Sequence, residues 1–140
     1  MILFINTADE SKVFIGLAEN KVFLAGKEFL AKHRQAEKLL IEISSLLNKN
    51  KYNLQSIKKI AVVQGPGPFT ALRIGIATAN ALSWSLKIPV AGIRLTDFNN
   101  FNSGFNLNSL EFKDEKKDKM NLINPYYGRE PNITLKKNSD

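Results

Sequence analysis

Residues Gln64 to Gly75 constrain this chain more than any other stretch: Gln64-Gly65-Pro66-Gly67-Pro68-Phe69-Thr70-Ala71-Leu72-Arg73-Ile74-Gly75. The run Lys59-Ile60-Ala61-Val62-Val63 leads into it. That run is short, apolar and rich in β-branched residues, which predicts a buried strand. Two glycines then alternate with two prolines. Gly admits positive φ, while Pro fixes φ and pushes the preceding residue out of the α region, so neither strand nor helix continues through them. Thr70 is a candidate N-cap, and a long apolar helical pattern follows from about Ala71 to Leu86. The arrangement is a strand, a stiff turn and a helix N-terminus.

Such a junction exposes backbone N–H groups at the positive end of a helix, which suits an anion. Gly65, Gly67 and Thr70 are phosphate candidates on that ground. A second account needs no ligand: Gly and Pro turn a corner between two buried elements. No Gly-Lys-Ser/Thr follows the turn, so it is not a Walker loop.

At 140 residues the chain is long enough for one domain with its own core. It has no cysteine, which excludes disulfides and thiolate metal sites. Met1-Ile2-Leu3-Phe4-Ile5 lacks a basic lead and the length of a signal h-region, and no apolar stretch approaches a membrane span. A soluble, cytoplasmic chain without membrane contact is expected. Of the 20 Lys and Arg, 13 fall in residues 1–98 against 7 acidic residues, so nearly all of the net charge of +7 sits on the folded part. A basic surface attracts nucleic acid or an acidic partner; it is equally what lysine-rich solubilising charge looks like.

Taken in order, Ile2–Asn6, Val13–Leu17 and Val22–Ala25 read as strands, the last two joined by a tight turn at Glu19-Asn20. An antiparallel meander is expected. Arg34 to Leu47 follows as an amphipathic helix, with Ala36, Leu39, Leu40, Ile43, Leu46 and Leu47 at helical spacing. After the Lys59–Gln64 strand and the second helix, Val90–Ile93 reads as a strand parallel to Lys59–Gln64 across a helical crossover. The order β-β-β-α-β-α-β predicts an α/β fold: a mixed sheet carrying helices. In the second helix Ala71, Gly75 and Ala79 recur at every fourth residue, and Ser83 continues the row. Small side chains in a row admit close approach, either by a partner protein or by the first helix.

Beyond Leu95 the pattern weakens. Asn99 to Asn108 is asparagine-rich, Lys113 to Lys119 is a mixed charge run, and Pro125 to Thr134 regains Pro and Tyr character as an extended arm. The expected organisation is a domain at 1–97, a reduced remnant or linker at 98–124, and a C-terminal arm at 125–140. No catalytic constellation and no metal site can be assembled. His33 is the lone histidine and precedes a helix, and neither Thr7 nor Ser11 has an evident base. Nor is there a cluster of carboxylates for two metals.

The block Gly65-Pro66-Gly67-Pro68-Phe69-Thr70-Ala71-Leu72-Arg73-Ile74-Gly75 resembles the Gly-Pro-Gly-Ser-Phe-Thr-Gly-Leu-Arg-Ile-Gly block of the TsaB family. That family supplies the dimerization subunit of the bacterial threonylcarbamoyladenosine tRNA modification machinery. Ile5-Asn6-Thr7 is similar to the family's opening Ile-Asp-Thr, Gln35–Ile43 to its first helix, and Pro89–Ile93 to its next strand. Pro125–Pro131 is similar to its Pro-x-Tyr-x-Arg-x-Pro ending.

The resemblance implies an actin-like, ribonuclease-H-like (ASKHA) fold and a non-catalytic subunit. It implies pairing with TsaD, which modifies the tRNA adenosine beside the anticodon, and association with the ATPase TsaE. tRNA would be met indirectly, and a homodimer would form when the chain is alone. The interface implied is Ala36, Leu39, Leu40, Ile43, Ala71, Leu72, Gly75 and Ala79, with both helices burying partner surface. Gly75→Leu would then break pairing and leave the fold intact.

The departures are Asn6 for Asp, Ala8 for Ser and Ala71 for Gly, with most of a second domain missing. An amide at Asn6 holds a metal-bound nucleotide less well than a carboxylate. No cofactor is expected on this chain alone, with ATP or ADP left to the junction of the complex. The competing functions are a nucleotide-binding phosphotransferase or hydrolase using Gly65, Gly67 and Thr70, and a free-standing RNA-binding module.

Overall fold

A computed structural model describes residues 1–20, 22–100, 112, 123 and 124 of the chain. Five strands form one sheet in the order β3-β2-β1-β4-β5. They are β1 (Ile2–Asn6), β2 (Lys12–Glu19), β3 (Val22–Leu30), β4 (Lys59–Gly65) and β5 (Val90–Arg94). β1, β2 and β3 are antiparallel, whereas β1, β4 and β5 run parallel. Helices α1 (Gln35–Lys49) and α2 (Phe69–Leu86) fill the crossovers, and a short α3 (Leu95–Asn99) follows β5. The mixed sheet expected of an actin-like, ribonuclease-H-like fold, a meander followed by α-β-α-β, is the one observed.

Alternation sorts the strands onto two faces. Leu3 and Ile5 of β1, Ile15 and Leu17 of β2, and Ile60 and Val62 of β4 point to one side. There Leu39, Ile43 and Leu47 of α1 and Ile76, Ala79 and Leu82 of α2 cover them. Full burial of each such Leu or Ile contributes about 1.5–3 kcal/mol. Phe4 points to the other side, where its ring lies 5.3 Å from Phe23 and 6.3 Å from Phe98 of α3. β4 is buried on both faces, as a central parallel strand must be.

β2 and β3 are longer than the sequence pattern suggests, and β3 carries the reason. Leu17 pairs with Ala25 but Ala18 pairs with Phe23, so Leu24 is a bulge residue. The bulge moves Phe23 onto the Phe4 face, since one inserted residue reverses the alternation. Lys27 lies on the helix face, where its Nζ donates to Glu42 Oε1 of α1 at 2.7 Å. A lysine facing inward masks the strand pattern from the sequence.

α2 begins two residues earlier than expected. Pro68 is its N-cap in extended conformation and Leu72 N–H donates to Pro68 O at 2.9 Å. Thr70 is therefore inside the first turn and caps nothing. At the other end Lys87 takes the left-handed conformation, φ 55° and ψ 49°. A side chain costs about 1–2 kcal/mol there, which glycine avoids. Lys87→Gly should raise stability by about 0.5–1 kcal/mol, after the greater freedom of glycine in the unfolded chain is deducted. A thermal melt should show a midpoint a few degrees higher.

Of the region after residue 97, α3 and Asn100 form the contiguous described part. The rest of the expected 98–124 remnant, apart from residues 112, 123 and 124, lies outside the described residues, as does the arm at 125–140.

Candidate functional site

The Gly-Pro turn packs on the turn that follows β1. A Cβ on Gly67 would lie 2.8 Å from Ala8 O. Gly65 is buried at the end of β4 and has φ 134°, a conformation that only glycine adopts without strain. Both glycines are thus accounted for by geometry and packing. Thr70 is exposed in the first turn of α2.

Asn6 and Asp9 brace the turn after β1. Asn6 Oδ1 accepts from the Ala8 N–H at 2.9 Å. Asp9 Oδ1 accepts from the Ser11 N–H at 2.9 Å and the Lys12 N–H at 3.0 Å. These bonds, Ser11 first, hold the Asp9 carboxyl below its ordinary value. Thr7 Oγ1 is buried and has no partner among the described residues. It faces Gly75 of α2. Among the described residues no group of three His, Cys, Asp or Glu could hold a metal.

The small-residue row of α2 serves the chain's own interior. Ala71, Gly75 and Ala79 are buried, and a Cβ on Gly75 would collide with Thr7 Oγ1 and lie 2.8 Å from Thr7 Cγ2. Gly75 lets the helix cross the end of β1. The expectation that Gly75→Leu spares the fold is corrected on this geometry. Leu39, Ile43 and Leu72 are fully buried too. Of the eight interface candidates, Ala36 and Leu40 are the exposed ones.

Both helices also expose large apolar side chains. On α2, Phe69 (54% exposed), Arg73, Ala77 and Trp84 (59%) fall on one stripe opposite the buried face. Arg73 holds its guanidinium 5.0 Å above the Phe69 ring, a cation–π contact. On α1, Leu40 and Ile41 are exposed beside an open hollow that Ser44 and Asn48 also line. Sequence reasoning singled out the small row and passed over this stripe. The signal was present in the spacing of Phe69, Arg73, Ala77 and Trp84, which advances in helical steps away from the buried residues.

The family model for TsaD, tRNA N6-adenosine threonylcarbamoyltransferase, matches residues 29–109, more than half of the chain. The chain belongs to this family. The TsaB resemblance carried by the Gly-Pro-Gly block holds within it. The chain is 34% identical over 92 residues to the tRNA threonylcarbamoyladenosine biosynthesis protein TsaB of Bacillus subtilis (strain 168), covering 66% of this chain and 40% of that protein. It is 37% identical over 84 residues to the TsaB protein of Buchnera aphidicola subsp. Schizaphis graminum (strain Sg), covering 60% and 35%. Among solved structures, YeaZ from Pseudomonas aeruginosa superposes with a TM-score of 0.63 at 25% identity, over 74% of this chain and 49% of that one. The TsaB-type chain described here therefore spans less than half the length of these relatives.

Proposed function

We propose that this chain is a docking subunit for a TsaD-type transferase. It would serve in the threonylcarbamoylation of the tRNA adenosine next to the anticodon, without itself catalysing the transfer. The observation that carries the reading is the apolar outer stripe of α2, Phe69 to Trp84, beside the exposed Leu40 and Ile41 of α1. Exposed Trp and Phe flanked by Arg have the composition of an interface centre. Family membership and the TsaB-named relatives supply the kind of partner.

The partner carries the chemistry in this reading. A nucleotide at the subunit junction draws its metal ligands from that partner, because the β1–β2 turn already uses Asn6 and Asp9 internally. A TsaE-type ATPase joins the assembly, tRNA is reached through the complex, and the same outer helix faces can bundle with a second copy when the partner is absent. No helix among the described residues is long and apolar enough to cross a membrane. The cytoplasm is the compartment that tRNA modification implies.

Reconstitution with the organism's own TsaD-type and TsaE-type proteins tests this. Threonylcarbamoylation of tRNA should fall at least tenfold when the chain is left out, and the chain alone should turn over no ATP. Undiminished modification without the chain would overturn the proposal. ATP turnover by the chain alone would point to the phosphotransferase or hydrolase reading.

A further inference from the structure

The residues that close the helix-bearing face beside α2 come from far along the chain. Ile123 is 4% exposed and belongs to the main core with Leu82 and Val90. Its backbone is held by one side chain. Asn80 Nδ2 donates to Ile123 O at 3.1 Å, and Asn80 Oδ1 accepts from the Ile123 N–H at 3.0 Å. One residue further on, Gln64 Nε2 donates to Asn124 O at 2.9 Å.

We propose that this is a peptide-binding groove whose ligand is the chain's own Ile123–Asn124. A carboxamide carries the same donor and acceptor as a peptide group. Asn80 therefore gives Ile123 the two-bond pairing that a neighbouring antiparallel strand residue would give. Those bonds read backbone and not sequence; the apolar pocket under Ile123 supplies the preference for an aliphatic side chain. Gln64 reaches Asn124 because Gly92 has no side chain. A Cβ on Gly92 would collide with Gln64 Cδ and Oε1. Gln64 is the bulge residue between the Val63–Ile93 and Gly65–Arg94 pairs, and its side chain lies over Gly92. The connection through residues 101–122 keeps the ligand at high effective concentration. Asn80 falls between Ala77 and Trp84 on the outer stripe of α2, so the groove borders the face proposed for the partner, and the test below reads it in the chain alone.

The test uses the full chain with a specific protease site placed within residues 101–111. After cleavage, the C-terminal fragment should remain bound to the N-terminal part through gel filtration. Asn80→Leu should speed its release about tenfold or more, since two half-buried hydrogen bonds are lost. Ile123→Val should retain the fragment within a few fold, whereas Ile123→Asp should release it. A second readout needs no cleavage. In the intact chain the Ile123 amide should exchange with solvent at least tenfold faster in Asn80→Leu than in the wild type, with β1 and β2 amides unchanged. Immediate release of the wild-type fragment would overturn the proposal. So would an Ile123 amide that exchanges in the intact wild type at the rate of an unstructured peptide.

Discussion

Gly75→Leu should remove about 3 kcal/mol or more of folding stability, enough to leave a marginal domain largely unfolded. α2 crosses β1 at this point, and the residue beneath is Thr7, fully buried at the end of the central strand. The first added atom would already collide with Thr7 Oγ1 and lie 2.8 Å from Thr7 Cγ2. Thr7 is β-branched and stiff about χ1, so it cannot swing aside cheaply. Gly75→Ala isolates the contact. Ala gains about 1 kcal/mol of helix propensity over Gly, so a purely helical effect would stabilise. The crossing predicts net destabilisation instead, recovered when Thr7→Ala is added, because that change removes both the Oγ1 and the Cγ2. Denaturant unfolding of the two single variants and the double variant gives the coupling directly.

Trp84→Asp should do the opposite: leave the fold intact and remove the partner. Trp84 is 59% exposed and sits on the stripe with Phe69 and Arg73, away from the buried face of α2. An exposed helix position tolerates substitution within about 0.5 kcal/mol of stability. A central tryptophan of an interface costs about 2–4 kcal/mol when lost, or roughly thirtyfold to a thousandfold in affinity. Titration calorimetry against the TsaD-type protein should therefore show a weakening of at least thirtyfold, with an unchanged thermal midpoint for the variant alone. This stripe and the Gly75 crossing make opposite demands on one helix. Its inner face must be small to reach β1, while its outer face must be large to fill a partner's surface.

The sequence pattern revealed the order of elements along the chain, both long helices and the family, because period and glycine–proline chemistry are local properties. It did not show the length of β3. There Lys27 faces inward, satisfied by Glu42 of α1, and a bulge at Leu24 breaks the alternation. α3 has five residues, too few for a helical period to emerge. The small-residue row was visible, but its direction was not. Gly75 facing Thr7 and Gly75 facing a partner leave the same trace in sequence, and only the crossing of β1 decides between them. The Asn80–Ile123 clamp joins residues too distant in the chain for any window to connect.

Hydroxyl-radical footprinting of the complex with the TsaD-type protein tests most directly where a partner sits. The account predicts that Trp84, Phe69 and Leu40 lose reactivity when the complex forms, while Val22 and Leu30 on the exposed β3 edge keep theirs. Unchanged Trp84 and Phe69 together with newly shielded Val22 and Leu30 would contradict it, and would place the partner on the sheet edge instead of the helices.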